Sequence, residues 1–313
     1  MHDVSPLLPP AAGHDGCAWC AALAAASARC YRPPSAGRRL FTAGLLAGGA
    51  AAAVPALARE GVDVGSESQF SKLVSAEQVE EAAGQQYRQM LAQARQQRAL
   101  APAEHPQLVR LRAIATRIIP FADDWNRRAK QWQWEVNLIG SKELNAFCMP
   151  GGKIAFFHGI LQQLQLDDDE VAMIMGHEAA HALREHARER MGKTAATRIG
   201  AGVLSALLGL GNTGDALLNM GGQLLTLKFS REDESEADLV GMELAARAGY
   251  RPRAGVSLWQ KMMAASKGAP PQFLSTHPAG TTRIRDIERN LPRVEPLYER
   301  APKPPTRYSP PSK

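Results

Sequence analysis

Beyond residue 58 the chain contains a single cysteine, Cys148, so no internal disulfide can support that part of it. It also lacks an excess of either charge. Of 37 Lys and Arg and 31 Asp and Glu, four and two precede residue 59, which leaves 33 against 29. That near balance, with no nucleic-acid motif, argues against a nucleic-acid partner. Long hydrophobic runs are missing as well, apart from an Ala, Gly and Leu stretch over 40–58. Two further apolar segments, 199–210 and 216–227, are too short to cross a bilayer. They suit core helices, or a hairpin that covers a cleft or touches lipid at the membrane surface. Residues 59–313 suffice for one sizeable domain rather than several.

The first 58 residues predict an export leader. Arg38-Arg39-Leu40-Phe41 precedes the apolar stretch, which ends in the small-residue pattern Ala56-Leu57-Ala58, so cleavage before Arg59 is expected. An uncleaved anchor is the alternative, and Gly37 in place of the usual Ser or Thr keeps both the twin-arginine and the general export routes open. Cys17, Cys20 and Cys30 with His14 have the look of a small zinc knot, but in an Ala-rich leader an unstructured stretch is the simpler reading. The expected location is periplasmic, with possible membrane association. At the other end, 301–313 is rich in proline and is expected to be disordered.

Histidine is scarce, eight in 313 residues, and two of the eight form His177-Glu178-Ala179-Ala180-His181. On a helix, positions four apart lie about 40° apart on one face, so both rings reach one ion, with a carboxylate beside the first to act as a base. Composition alone would produce this pattern about once in a hundred such chains, so its context matters. Asp167 to Asp169 offer a cap and first-turn carboxylates, Val171, Ile174, Met175, Ala179 and Ala182 follow at helical spacing, and Arg184, Arg188 and Arg190 load the far end. The pair therefore sits mid-helix on a buried face, where two imidazoles and a carboxylate would be costly without a metal. His186 fits an incidental surface histidine.

A hydrolytic zinc site needs a third protein ligand and a position left for water. Ser230 is a plausible cap for a helix running to about Ala248, on which Glu234 and Asp238 share a face. Glu234 is the expected third ligand, and Asp238 the expected outer hydrogen-bond partner of a metal-bound imidazole. Glu232, Asp233 and Glu236 suit a solvated helix start. Upstream, Ser75 to Gln78 predicts a cap opening a helix to about Ala99, and 106–128 a second helix interrupted near Pro120. Trp132, Trp134, Val136 and Leu138 alternate as a half-buried strand, with core the preferred role for the tryptophans, and 153–157 reads as a second strand. An edge strand beside the cleft would bind extended polypeptide through its main chain. Cys148 suits a small core residue near that cleft, with a reactive thiol as the other possibility.

His177-Glu178-x-x-His181 followed by Glu234-x-x-Ala237-Asp238 resembles the gluzincin pattern, and the surrounding text resembles peptidase family M48, which includes prenyl-protein, HtpX-type and periplasmic BepA- and LoiP-type peptidases. Asn145-Ala146-Phe147, with Pro150-Gly151-Gly152-Lys153-Ile154, is similar to that family's Asn-Ala-Phe…Pro-Gly-Gly segment. His277-Pro278 followed by Arg283 is similar to its His-Pro…Arg segment. The chain lacks the spans of the multi-spanning members and room for the BepA-type repeat domain, so the soluble single-domain exported branch is the expected one.

The resemblance implies a mostly helical α+β zincin-like domain over 59–300, with a small antiparallel or mixed sheet beside the active-site helix. It implies one zinc ion per chain and substrate-binding roles for Asn145, Ala146, Gly151, Gly152, Ile154 and Arg283. His277 would either donate to an oxyanion or act as a fourth ligand that keeps the enzyme latent. The expected activity is peptide-bond hydrolysis in unfolded or misassembled envelope proteins, with outer-membrane assembly proteins as possible partners. The alternative is a chaperone-like client-binding protein in which zinc is structural.

Overall fold

The computed structural model describes residues 59–199, 220, 224, 227–266, 272–278 and 280–312. The leader, the apolar segment 200–210 and most of 216–227 lie outside the described residues, so the expectations placed on them are not addressed by the fold. Arg59–Lys313 forms one unit. Its first residues are tied down at once. Arg59 Nη2 donates to Glu243 Oε1 at 2.6 Å and Val62 N to Glu243 Oε2 at 2.8 Å, which satisfies a carboxylate with no exposure.

Helix α1 (Ala76–Gln96) starts where Ser75 accepts a hydrogen bond from Gln78 N, and α2 (Pro106–Ile118) ends as expected just before Pro120, in a short 3-10 turn. Three strands follow: β1 (Glu135–Ile139), β2 (Ala146–Met149) and β3 (Lys153–Phe157). The sheet order is β1-β3-β2, with β3 parallel to β1 and antiparallel to β2, a small mixed sheet. Met149-Pro150-Gly151-Gly152 makes the turn into β3. Pro150 supplies its fixed φ and Gly151 takes φ +83, the type II signature, while Gly152 follows at φ +76 and donates to Met149 O.

Alternation fails in β1, where four of five residues are buried. Both faces of the sheet are covered. Val136, Leu138, Ile154 and Phe156 join the main core under α2, whereas Ile139, Met149 and Ala155 meet Ala83, Tyr87 and Leu91 of α1. The tryptophans precede the strand. Trp132 is buried in the main core and Trp134 is packed against it, the core role preferred from the sequence.

The remaining helices are α3 (His158–Gln163), α4 (Asp168–Leu183), α5 (His186–Ile199), α6 (Arg231–Arg247), α7 (Ala254–Ala265), α8 (Gln272–Thr276) and α9 (Thr281–Arg300). The domain is thus mostly helical with one small mixed sheet, the expected class. Among the described residues no helix is long and apolar enough to cross a membrane. Every residue of α4 is buried. It crosses α6 backbone to backbone: a Cβ added at Gly176 would sit 2.6 Å from Gly241 O, and one at Gly241 2.5 Å from His177 N. No side chain larger than hydrogen fits between the two helices at that level.

The proline-rich tail is not disordered, contrary to expectation. Tyr308 N donates to Asp168 Oδ2 at 2.8 Å, Arg307 Nη1 pairs with Asp169 Oδ1 at 2.7 Å, and Ser309 O and Pro311 O accept from Gln107 and Gln165. Composition counts prolines, but the tail also carries donors for two buried first-turn carboxylates of α4, in addition to the partners they have elsewhere. Asp168 has the buried Arg110 as a partner and Asp169 has Arg251. Burial alone would raise the Asp169 carboxyl, and the Arg307 and Arg251 contacts outweigh it and hold it below its ordinary range.

Ending the chain at Ala301 is therefore expected to lower the melting temperature by about 2–4 °C at pH 7, the shift for roughly 1 kcal/mol in a domain of this size. Because the folded value is depressed, the Asp169 contribution is present above the unfolded carboxylate value of about 3.9 and is lost as pH falls through the folded one. The difference between the two chains should shrink below about pH 4. Paired thermal melts across pH check this; an identical midpoint at pH 7 removes the tail from the fold's stability.

Candidate metal centre

Helix α4 opens with a full capping box, Asp167 accepting from Glu170 N and Glu170 Oε2 accepting from Asp167 N at 2.9 Å. Its capped start sets His177 and His181 one turn apart with ring centroids 4.7 Å from each other. Helix α6 begins the same way, with Ser230 and Asp233 in reciprocal bonds, so Asp233 serves the helix start. Glu234, in that same first turn, and Asp238, one turn further, face α4.

His177, His181, Glu234 and His277 come together, with one donor atom from each lying within 4.8 Å of all the others. His177 Nε2 is 3.1 Å from His181 Nε2 and 3.3 Å from His277 Nδ1. Glu234 Oε1 is 3.4 Å from His181 Nε2 and 2.9 Å from His277 Nδ1. His277 follows α8, which the chain folds back over the site through Phe229 N and Thr276 O. Its ring lies between those of Phe273 and Phe229, at 4.6 and 5.4 Å.

The outer nitrogens are also engaged. His177 Nδ1 lies 3.1 Å from Asp238 Oδ1. Arg283 Nη2, a donor, also lies 3.3 Å from that nitrogen, but the carboxylate is nearer and only accepts; with the His177 proton on Nδ1 the Nε2 lone pair turns to the cluster. Asp238 is in turn held by Arg283, whose Nε and Nη2 donate to its two oxygens at 2.6 and 2.7 Å, and by Trp259 Nε1 at 3.2 Å. The Arg283 guanidinium lies 3.6 Å above the Trp259 ring. Burial alone would raise the Asp238 carboxyl; Arg283 and His177 outweigh it and keep it low.

These atoms fit a cation. Two imidazole lone pairs 3.1 Å apart repel unless something positive lies between them. Four nitrogen and oxygen donors about 2 Å from one tetrahedral ion would lie about 3.4 Å from each other. Glu178 Oε1 and Glu234 Oε2 are buried without a hydrogen-bond partner, although Glu234 Oε2 is 2.6 Å from Arg283 Nη1 in an unaligned contact. The His and carboxylate set is one that zinc takes.

Charge at the site is finely balanced. Burial raises the Glu178 carboxyl, and His277 and His177 only partly offset that. For Glu234 burial acts upward too, but His277 and His181 hold the carboxyl far below its usual range. His181 is pushed well down by burial, against the pull of Glu234. His277 goes the other way: burial alone would lower it, and the charges of Glu178 and Glu234 raise it.

The residues expected to bind substrate divide. Asn145 and Ala146 line the cleft beside Glu178, His181 and His277. Gly151 and Gly152 do not; they form the turn, and a Cβ at Gly152 would meet the Trp134 ring at 2.7 Å. Ile154 is a core residue with 1% exposure. Arg283 is buried and spent on Asp238 and Glu234 rather than turned to the cleft. The edge strand along the cleft is β2, which the sequence reading did not contain, and not either of the two strands it did contain. Cys148 lies on the cleft wall, and burial first, then the Glu178 charge, pushes its thiol up, which makes a reactive thiolate unfavourable.

His186 is not a surface histidine. It is 2% exposed, and its Nδ1 is 2.9 Å from His181 Nδ1. Five residues after His181 it would fall off the helix face, but Glu185 takes φ +57 and turns α5 back under α4. Glu236, set aside as a solvated acid, pairs with Arg184 and lies 3.7 Å from His186 Nε2. Phe229 stacks on His181 at 3.9 Å. None of these contacts follows a helical period, so spacing alone could not find them.

Two histidines and an intervening carboxylate on one helix, with a glutamate from a second, define the gluzincin type of metallopeptidase site. The model of peptidase family M48 matches residues 107–291, and the chain belongs to that family. It is 36% identical over 197 residues to the mitochondrial metalloendopeptidase OMA1 of Schizosaccharomyces pombe, covering 62% of this chain and 56% of that one. Against the Saccharomyces cerevisiae protein of the same name the identity is 30% over 219 residues, 66% of this chain and 62% of the other. It is also 28% identical over 171 residues to the beta-barrel assembly-enhancing protease of Escherichia coli, 51% of this chain and 35% of that one.

The matches therefore span between about a third and three fifths of these relatives. They fall on both kinds of protein and do not single out the exported branch. The periplasmic location expected from the leader is overturned, since the more similar of these three relatives are mitochondrial.

Proposed function

We propose that this chain is a zinc-dependent endopeptidase that cleaves unfolded or misassembled polypeptides, with one ion per chain held by His177, His181 and Glu234. The observation that carries the reading is the four-member buried cluster with Glu178 beside it. Zinc bound there supplies a Lewis acid that polarises the scissile carbonyl and lowers the pKa of a water toward about 7.

The chain's own residues do the rest. Glu178 Oε1 accepts no hydrogen bond, with His277 Nε2 3.6 Å away, and its raised carboxyl suits it to take a proton from the attacking water and return it to the leaving amine. The side of β2 that does not face β3 lies along the cleft, and an extended segment added there would be held by main-chain hydrogen bonds, which selects for locally unfolded chain more than for side chains. Asp238 and Arg283 keep His177 in the tautomer that presents Nε2.

A second reading is favoured by one observation, the presence of His277 inside the cluster. Four protein ligands make a closed site of the structural kind, suited to a client-binding protein. In the peptidase reading the same arrangement is a latent state in which His277 occupies the place that water needs.

The test is digestion of a reduced, carboxymethylated protein by the full chain with zinc, after chelation, and after zinc is restored. The expected result is cleavage that stops with chelation and returns with zinc. Binding of the unfolded protein without any cleavage in the zinc-loaded state would overturn the peptidase reading in favour of the structural one.

A further inference from the structure

The two metal-facing histidines of α4 are supported differently. His177 Nδ1 meets a carboxylate directly, whereas His181 Nδ1 meets another imidazole, that of His186, at 2.9 Å. Between two ring nitrogens only one can donate. If His181 is to turn the Nε2 lone pair to the metal, its proton must sit on Nδ1, so His186 Nδ1 is the acceptor and the His186 proton sits on Nε2. That nitrogen has no hydrogen bond but lies 3.7 Å from Glu236 Oε2, on α6 between Glu234 and Asp238. Glu236 is held by Arg184 Nε, and Arg184 Nη2 is fixed on Gly65 O at 3.0 Å.

From this geometry we infer that His186 is a positioning residue for the metal: it sets the tautomer and ring plane of His181, with Glu236 and Arg184 as the anchor behind it. The inference rests on the reading of His181 as a ligand and adds residues from outside the four-member cluster. His186 is 2% exposed, so bulk solvent does not reach His181 Nδ1 past it. Without an acceptor at Nδ1 a neutral His181 would divide between two tautomers, only one of which presents Nε2. The ring would also lose the contact that, with Phe229 on its face, fixes its plane. Outer hydrogen-bond partners of metal-bound histidines typically change metal affinity by about 10- to 100-fold.

The test uses the full chain and three variants: His186→Phe, which fills the space without an acceptor, His186→Asn, whose carbonyl can stand where Nδ1 stood, and Glu236→Ala. Zinc affinity is read by competition with a chromophoric chelator, the ligand field by the visible bands of the cobalt-substituted protein, and the fold by melting of the metal-free protein. His186→Phe is expected to weaken zinc by about 10- to 100-fold and to shift the cobalt bands, with the metal-free melt near that of the parent. His186→Asn should recover most of that loss, and Glu236→Ala should weaken zinc in the same direction.

Unchanged zinc affinity and cobalt bands in His186→Phe would overturn the inference, and so would equal losses in the Phe and Asn variants. If His186→Phe does not fold, Glu236→Ala decides, since unchanged affinity there removes the anchor. A parent chain that binds no zinc is a different failure, that of the metallopeptidase reading itself.

Discussion

Replacing Glu178 by Gln is expected to lower turnover on an unfolded protein by about 10²- to 10⁴-fold, the usual contribution of general acid–base catalysis, while zinc content and melting temperature stay near those of the parent. The substitution keeps the shape of a side chain that is 3% exposed and removes only its ability to carry a proton to and fro. Glu178 is not among the four clustered donors, so metal binding has no need of its charge. Oε1 has no hydrogen bond to lose, and its nearest charged neighbour is His277 Nε2 at 3.6 Å. The raised carboxyl is the other half of the argument, since a base poised closer to neutrality can both accept a proton and return it. Rates from single-turnover digestion with metal analysis of the same samples check this; equal rates would mean that proteolysis, if present, runs through another residue.

The second large effect separates two carboxylates on α6. Glu234→Ala should abolish stoichiometric zinc binding, because it removes the one anionic member of the cluster. Asp238→Ala should leave zinc bound but about 10- to 100-fold more weakly, because it removes only the acceptor that orients His177. The structure adds a consequence for stability. Asp238 satisfies two donors of Arg283, which is 5% exposed, so in the Ala variant Nε and Nη2 of a buried guanidinium lose that partner while Nη1 keeps Glu234 and Pro278 O, a loss of about 3 kcal/mol, the lower end for breaking a buried pair. In a domain of this size that is a fall of roughly 10 °C in melting temperature. Equal retention of zinc by both variants would mean that Glu234 is not the third ligand.

What the sequence made legible was chemistry carried by local order. Asp167 and Ser230 announce the starts of α4 and α6 because capping needs only the next three residues. Once both helices are placed, the faces that carry His177, His181, Glu234 and Asp238 follow from the helical period. Contacts that depend on the path between helices were not legible. Strand β2 is four residues long and lies against a sheet covered on both sides, so it lacks the alternation that marks a half-buried strand. His186 reaches His181 only through the reversal at Glu185, and Arg307 and Tyr308 find α4 from the far end of the sequence. Composition described the tail correctly as rich in proline but says nothing about which donors it brings to which acceptors.

The crossing at Gly176 and Gly241 bears on where the site has freedom to change. Two helices in backbone contact cannot slide or roll by a fraction of a turn without collision, so His177, His181, Glu234 and Asp238 behave as parts of one rigid body. His277 belongs to neither helix; it arrives at the end of the five-residue α8. Of the four clustered donors it alone can be withdrawn without dismantling the crossing. A movement of His277 out of the cluster would have to draw its ring from between those of Phe229 and Phe273.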